Sequence, residues 1–238
     1  MKKYEAILFD LDGTLLPMDM DSFSRGYLHT LAEEMKKYGY SEQTLLPAMW
    51  KGVASMVKND GTRTNSAAFW ETFSNILGKK AYDDIPHFDA FYGGRFNEAV
   101  KYTEPTPNAR KAVEYAKSCA DKVILATNPM FPTVAVKVRL EWTGLKYEDF
   151  DFATDYENSH YCKPNPKYFS EIAEKFSLNP KNCLMVGNNT EEDIKASAAA
   201  GFSAFLLTDC LICDGEMPNC PKGSFTDLFE FLNNGEKV

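Results

Sequence analysis

A chain of 238 residues with 44% hydrophobic and 25% charged side chains can bury a full core and has room for two domains. Its formal net charge of -8, with no stripe of Lys and Arg, argues against a nucleic-acid partner, because phosphate-backbone binding is driven by clustered cations. Met1-Lys2-Lys3 leads into an apolar run broken at Asp10, and no apolar stretch approaches a membrane span, so the expectation is a cytoplasmic protein with no membrane partner and with its six cysteines as free thiols.

Residues 6–9 have strand composition and stop at Asp10, Asp12 and Gly13, so two carboxylates stand where a buried strand reaches the surface. A hairpin is the ordinary reading of Asp-Gly, but no matching strand follows within hairpin distance. From there to about residue 104 the pattern is helical. Asp21 or Ser22 can cap a helix with apolar positions Phe23, Tyr27, Leu28, Leu31, Met35 and Tyr38 that stops at Gly39. A second helix runs from Ser41 or Pro47 to Val57, a third from Thr64 or Asn65 to Gly78, and a fourth from Phe88 to Tyr102 with a break at Gly93-Gly94. Four helices in this span suggest a small bundle.

The segment 103–107 is punctuated by prolines, with Thr106-Pro107 placed to open a helix. Beyond it helices and strands alternate: helix 107–120, strand 122–126, helix 132–142, strand 150–153, helix 166–176, strand 183–186, helix 191–200, strand 203–207, and a last helix opened by Ser224-x-x-Asp227. Such alternation is the pattern of an α/β fold, a Rossmann-like parallel sheet covered by helices on both faces. The first strand must join the later ones to bury its apolar run. The expected domains are therefore residues 1–16 with 105–238 as the α/β core, and 17–104 as an inserted helical bundle.

Parallel strands bring their C-terminal tips to one edge, where ligands bind in open α/β sheets. That edge should collect Asp10, Asp12, Thr127, Asn128, Lys163, Asn188 and Asp193. Close carboxylates repel by about 4 kcal/mol per pair at a moderate effective dielectric, which calls for a cation among them, and a hard divalent ion with oxygen ligands fits. Taken singly, Lys163 could be a loop lysine, Thr127-Asn128-Pro129 a turn, and Asp193 the end of a capping box begun by Thr190.

Asp10-x-Asp12-Gly13-Thr14, Thr127, Lys163 and Gly187-Asn188 with Asp193, in that order, resemble the four motifs of the haloacid dehalogenase superfamily, and the bundle resembles its inserted C1-type helical cap. The resemblance implies a Mg²⁺-dependent phosphatase acting on a small phosphorylated metabolite. Asp10 would be the nucleophile that becomes an aspartyl-phosphate, and Asp12 the general acid and base. Thr127, Asn128 and Lys163 would hold the phosphate, while Asp10, Asp12 through its carbonyl, Asp193 and Asn188 would hold the metal. The family members that break carbon-halogen bonds lack the second acid, so Asp12 favours phosphate chemistry. The fourth motif usually begins Gly-Asp; Asn188 in its place predicts weaker Mg²⁺ binding. A phosphosugar mutase and a catalytically weakened binding protein are the alternative readings. Arg25, Arg63 and Arg95 are candidate substrate contacts that read more simply as surface charge. His29, His87 and His160 read as structural or surface residues. The loop with Cys210, Cys213 and Cys220 supplies no fourth zinc ligand and reads as a plain thiol-bearing loop.

Overall fold

The computed structural model describes residues 2–234. Strand β1 (Tyr4–Phe9) leads into α1 (Met20–Met35), α2 (Glu42–Val57), α3 (Asn65–Leu77), the single turn α4 (Lys80–Asp83) and α5 (Ile85–Gly93), followed by a 3-10 segment Arg95–Tyr102. After α6 (Pro107–Cys119) come β2 (Ala120–Leu125), α7 (Thr133–Trp142), β3 (Phe152–Ala153), α8 (Lys167–Phe176), β4 (Cys183–Gly187), a π-helical stretch Thr190–Lys195 running into α9 (Ala196–Ala199), β5 (Ser203–Leu207), β6 (Lys222–Gly223) and α10 (Phe225–Asn234). The six strands form one parallel sheet in the order β3-β2-β1-β4-β5-β6. The first strand thus lies centrally, between two strands that come more than a hundred residues later.

That position explains its composition. Ala6, Ile7, Leu8 and Phe9 are all fully buried, as a parallel strand covered on both faces requires. Alternation sorts them: Ile7 and Phe9 join the cluster containing Val113 of α6 and Leu228 of α10, while Ala6 and Leu8 join Phe169 and Ile172 of α8. Burying each large apolar side chain contributes about 1.5–3 kcal/mol. Between β1 and α6 the described chain adds no strand to the sheet. Its helices pack by aromatic rings, with Trp70, Phe73 and Phe88 within 5.5 Å of one another, and Tyr27, Tyr92 and Phe96 carry this cluster onto Phe131 and Trp142. A Cβ on Gly52 would lie 2.5 Å from the Phe69 ring, so glycine is what lets α2 and α3 approach.

Local differences from the sequence pattern have local causes. The α1 cap is Asp19, not Asp21 or Ser22: its backbone is extended and its carboxylate accepts the Ser22 N–H at 2.8 Å. The fourth helix begins three residues early and is broken at Gly94, beyond which the chain tightens to 3-10. The strand expected at 150–153 keeps only its last two residues, because the Asp151 carboxylate accepts the Val123 N–H (2.8 Å) in place of a ladder carbonyl. The helix expected from 191 begins as π rather than α. β6, a two-residue edge strand carrying Lys222, has too little apolar pattern to be read from sequence.

Among the helices at 20–102, Tyr40 and Lys80 converge on Asp84, at 2.7 and 2.9 Å. Burial pushes the Asp84 carboxyl upward, but the Lys80 and Tyr40 hydrogen bonds outweigh it and the net shift is down. A depressed folded-state pKa contributes stability that is present above the unfolded value and lost as pH falls through the folded one. Asp84→Asn therefore destabilises the protein at pH 7, and the gap from wild type narrows below the ordinary value of 3.8. Urea unfolding at pH 7 and pH 3 checks this; an equal gap at both would exclude an ionic origin.

Candidate active site

The sheet ladder extends one residue past β1, with the Asp10 N–H donating to the Val186 carbonyl at 3.0 Å, and then the chain turns sharply. Gly13 makes that turn at φ +83°, and a Cβ there would lie 2.3 Å from Asn188 Nδ2. Backbone conformation and space both demand glycine. The turn presses the first strand tip against the fourth, and Thr14 joins them: its hydroxyl lies 3.2 Å from Asp10 Oδ2 and 3.0 Å from Asn188 Oδ1.

Lys163 is fully buried, with its ammonium 2.9 Å from Asp10 Oδ1 and 2.6 Å from Asp193 Oδ1. Burial alone would lower the lysine pKa, but Asp10 and Asp193 outweigh it and raise it, so the ammonium stays charged. Asp193 is driven upward, first by burial and then by Asp10, against the pull of Lys163. Its second oxygen accepts the Asn189 N–H at 3.0 Å. The helix it belongs to is capped by Asn189, which accepts from Glu191 and Glu192, so Thr190 is not the cap. Gly187 makes room for this carboxylate, since a Cβ there would lie 2.3 Å from it.

Asp10, Asp12, Thr127, Asn128, Asn188 and Asp193 line one cleft of about 270 Å³, so the structure brings these sequence-derived residues together, with Lys163 beneath them. The Thr127 carbonyl is held by the hydroxyls of Thr154 (2.7 Å) and Tyr168 (3.0 Å). Asn128 braces the rim, its Oδ1 accepting the Lys163 N–H at 3.2 Å and its Nδ2 donating to Glu192 at 2.9 Å.

Asp10 Oδ2 and Asn188 Oδ1 converge on one hydroxyl, and Asp12 Oδ1 is buried with no partner among the described residues. Of these, Asp10 Oδ2 and Asn188 Oδ1 are hard oxygen donors that fit a small divalent cation, which needs few carboxylates when waters and substrate oxygens complete its shell. Asp193 is turned toward Lys163 instead. Among the described residues no cluster of three His, Cys, Asp or Glu side chains is arranged to hold a metal ion.

Two residues at the site escape sequence reasoning. Glu192 lines the cleft, and burial pushes its carboxyl above the usual range despite Lys163 and Asn128. Arg139, fully buried on α7, pairs with Asp12 Oδ2 through Nη1 and lies over the Phe131 ring at 4.2 Å. The arginines singled out from sequence are elsewhere: Arg63 pairs with Glu71, Arg95 with Glu33, Glu34 and Glu98, and neither they nor Arg25 line the cleft. His87 stacks on Tyr38 at 3.8 Å, and His29 and His160 lie beside Glu33 and Glu171. The six cysteines are free thiols.

The family model of haloacid dehalogenase-like hydrolases matches residues 4–201. Pyrophosphatase PpaX of Bacillus velezensis is 25% identical over 200 residues, covering 84% of this chain and 81% of its own. Among solved structures, a HAD phosphatase from Thermococcus onnurineus aligns with a TM-score of 0.63 at 20% identity, over 98% of this chain and 100% of that one. The HAD-hydrolase YfnB from Bacillus subtilis, solved bound to magnesium and described as revealing interdomain movement, aligns with a TM-score of 0.60 at 18% identity, over 98% and 100%.

Proposed function

This chain belongs to the haloacid dehalogenase-like hydrolases, and we propose that it is a Mg²⁺-dependent phosphatase that releases phosphate from a small phosphorylated metabolite. The observation that carries the reading is the buried Lys163 ammonium held between Asp10 and Asp193 beneath the cleft. Its positive charge sits against the buried Asp10 and offsets the charge of a carboxylate nucleophile toward phosphorus. Asp12, two residues on and lining the same cleft, supplies the acid and base.

In this reading Asp10 attacks the phosphoryl group, Asp12 gives its proton to the departing oxygen, and water activated by Asp12 then resolves the aspartyl-phosphate. Lys163 offsets the charge that gathers on Asp10 and the phosphoryl oxygens, with Thr127 and the Asn128 backbone N–H as donors to those oxygens. Asp10, Asn188 and the Asp12 carbonyl would hold Mg²⁺, which would supply further neutralisation of phosphoryl charge. The helical residues 17–104 act as a cap over the core. Entry and exit run side by side, with Glu104 N–H on the Pro17 carbonyl at 2.7 Å and Met18 bridged to Thr103, which suits a hinge that closes the cleft and excludes water. The interdomain movement described for YfnB supports the same reading.

Phosphate release from a panel of phosphorylated metabolites with Mg²⁺ tests the proposal, and pyrophosphate belongs in that panel because of the PpaX relatives. No release from any of them, or from aryl phosphates with Mg²⁺, Mn²⁺ or Co²⁺, overturns it.

Asn188 sets the metal affinity. Its Nδ2 donates to the Cys210 carbonyl at 2.6 Å, fixing Oδ1 toward Thr14. Asn188→Asp adds a charge to the donor set but sets oxygen against that carbonyl. The variant should activate at lower Mg²⁺ yet melt earlier in metal-free buffer. A Mg²⁺ titration of activity with no leftward shift would refute the role given to Asn188.

A further inference from the structure

Arg139 has no part in the scheme above, yet it makes the only side-chain hydrogen bond of Asp12 among the described residues. Its guanidinium is fully buried, with Nε 3.4 Å from the Ala135 carbonyl and Phe131 packed on its face. The pair is single-pronged. Nη1 holds Asp12 Oδ2, while Arg139 Nη2 and Asp12 Oδ1 are both buried and both without a partner. Arginine and carboxylate ordinarily meet with two parallel bonds, which would satisfy both orphans. Here one carboxylate oxygen is tied and the other is kept free.

We propose that Arg139 is a positioning residue for the acid/base step: it pins Asp12 Oδ2 and reserves Oδ1 as the oxygen that carries the proton. The inference rests on the phosphatase reading. As Asp10 forms its bond to phosphorus and the ester P–O bond breaks, the proton on Oδ1 passes to the leaving oxygen. In the second half-reaction Oδ1 takes a proton from the attacking water while the Asp10–phosphorus bond breaks. Without the clamp the carboxylate turns freely about its terminal torsion, and the proton is no longer aimed.

The test uses leaving groups of different acidity. A good leaving group such as 2,4-dinitrophenol departs without a proton, whereas an alkoxide needs one. Arg139→Met should lower kcat/KM by about 10²-fold or more on alkyl monophosphates and by less than about threefold on 2,4-dinitrophenyl phosphate, with Arg139→Lys recovering part of the alkyl activity. Equal losses on both substrates, or none, overturn the proposal. In an Asp12→Asn background, Arg139→Met should change residual hydrolysis of the dinitrophenyl ester by less than about threefold, since the arginine acts through Asp12; a further large loss also overturns it. The double variant leaves no uncompensated carboxylate and carries the test if Arg139→Met does not fold alone. Wild-type protein inactive on every ester would instead sink the phosphatase reading and this inference with it. Wild-type activity with a uniform loss in the variant sinks only the clamp.

Discussion

Asp10→Asn is expected to reduce turnover by about 10⁴-fold or more while leaving the fold intact, because an amide cannot form the phosphoryl bond on which the scheme depends. The substitution is close to isosteric. With the amide oxygen at the position of Oδ1 it still accepts from Lys163, the amide NH2 in the place of Oδ2 can donate to the Thr14 hydroxyl, and the strand tip keeps its backbone bond to Val186. Removing one negative charge from the neighbourhood of Asp12, Glu192 and Asp193 even relieves repulsion, so thermal stability should hold or rise. Phosphate release and a melting curve on the same preparation check both halves. Unchanged turnover would remove Asp10 from the chemistry.

Lys163→Met should be the most destabilising single change at the site. The ammonium is fully buried and carries both carboxylate contacts, so its loss strands Asp10 and Asp193 in a dry environment. Breaking a buried pair from one side costs about 3–5 kcal/mol, most of it the penalty of the charges left behind. Adding Asp193→Asn should return part of that loss, since one stranded carboxylate is removed. Urea unfolding with an unchanged m-value gives the numbers. A cost below about 1 kcal/mol would mean that the acids are protonated in the native protein and that Lys163 does not neutralise Asp10.

How far the site could be read from the chain depended on topology. Asp10, Thr127, Asn188 and the loop carrying Lys163 lie at or just past C-terminal strand tips, and a parallel sheet puts such tips on one edge whatever the intervening helices do. Ser203–Leu207 was legible for a related reason, being a short apolar run bounded by turn residues. Arg139 was not, because a cation in a helix reads by default as solvent-facing. A signal was there: Arg139 follows the buried Ala135 and Val136 by four and three residues, so it sits inside the apolar stripe of α7. Glu192 left no such trace. Glu191, Glu192 and Asp193 are three acids in a row, and the π-helical turn that decides which of them face the cleft has no sequence signature of its own. The strand at 150–153 failed for a different reason, since a side chain took a backbone position in the ladder.

The pairing of Met18 with Thr103 has a meaning in polymer terms. Once those two residues meet, the chain between them is a closed loop whose ends are held side by side. Its closure entropy has then been spent, and each further lengthening of the loop adds only slowly to the cost, roughly as the logarithm of its length. Docking of the helices on Phe131 and Trp142 is then a tethered encounter at high effective concentration. Helical segments of quite different length could therefore hang from the same stalk at nearly the same entropic cost, leaving the strand tips below them unchanged.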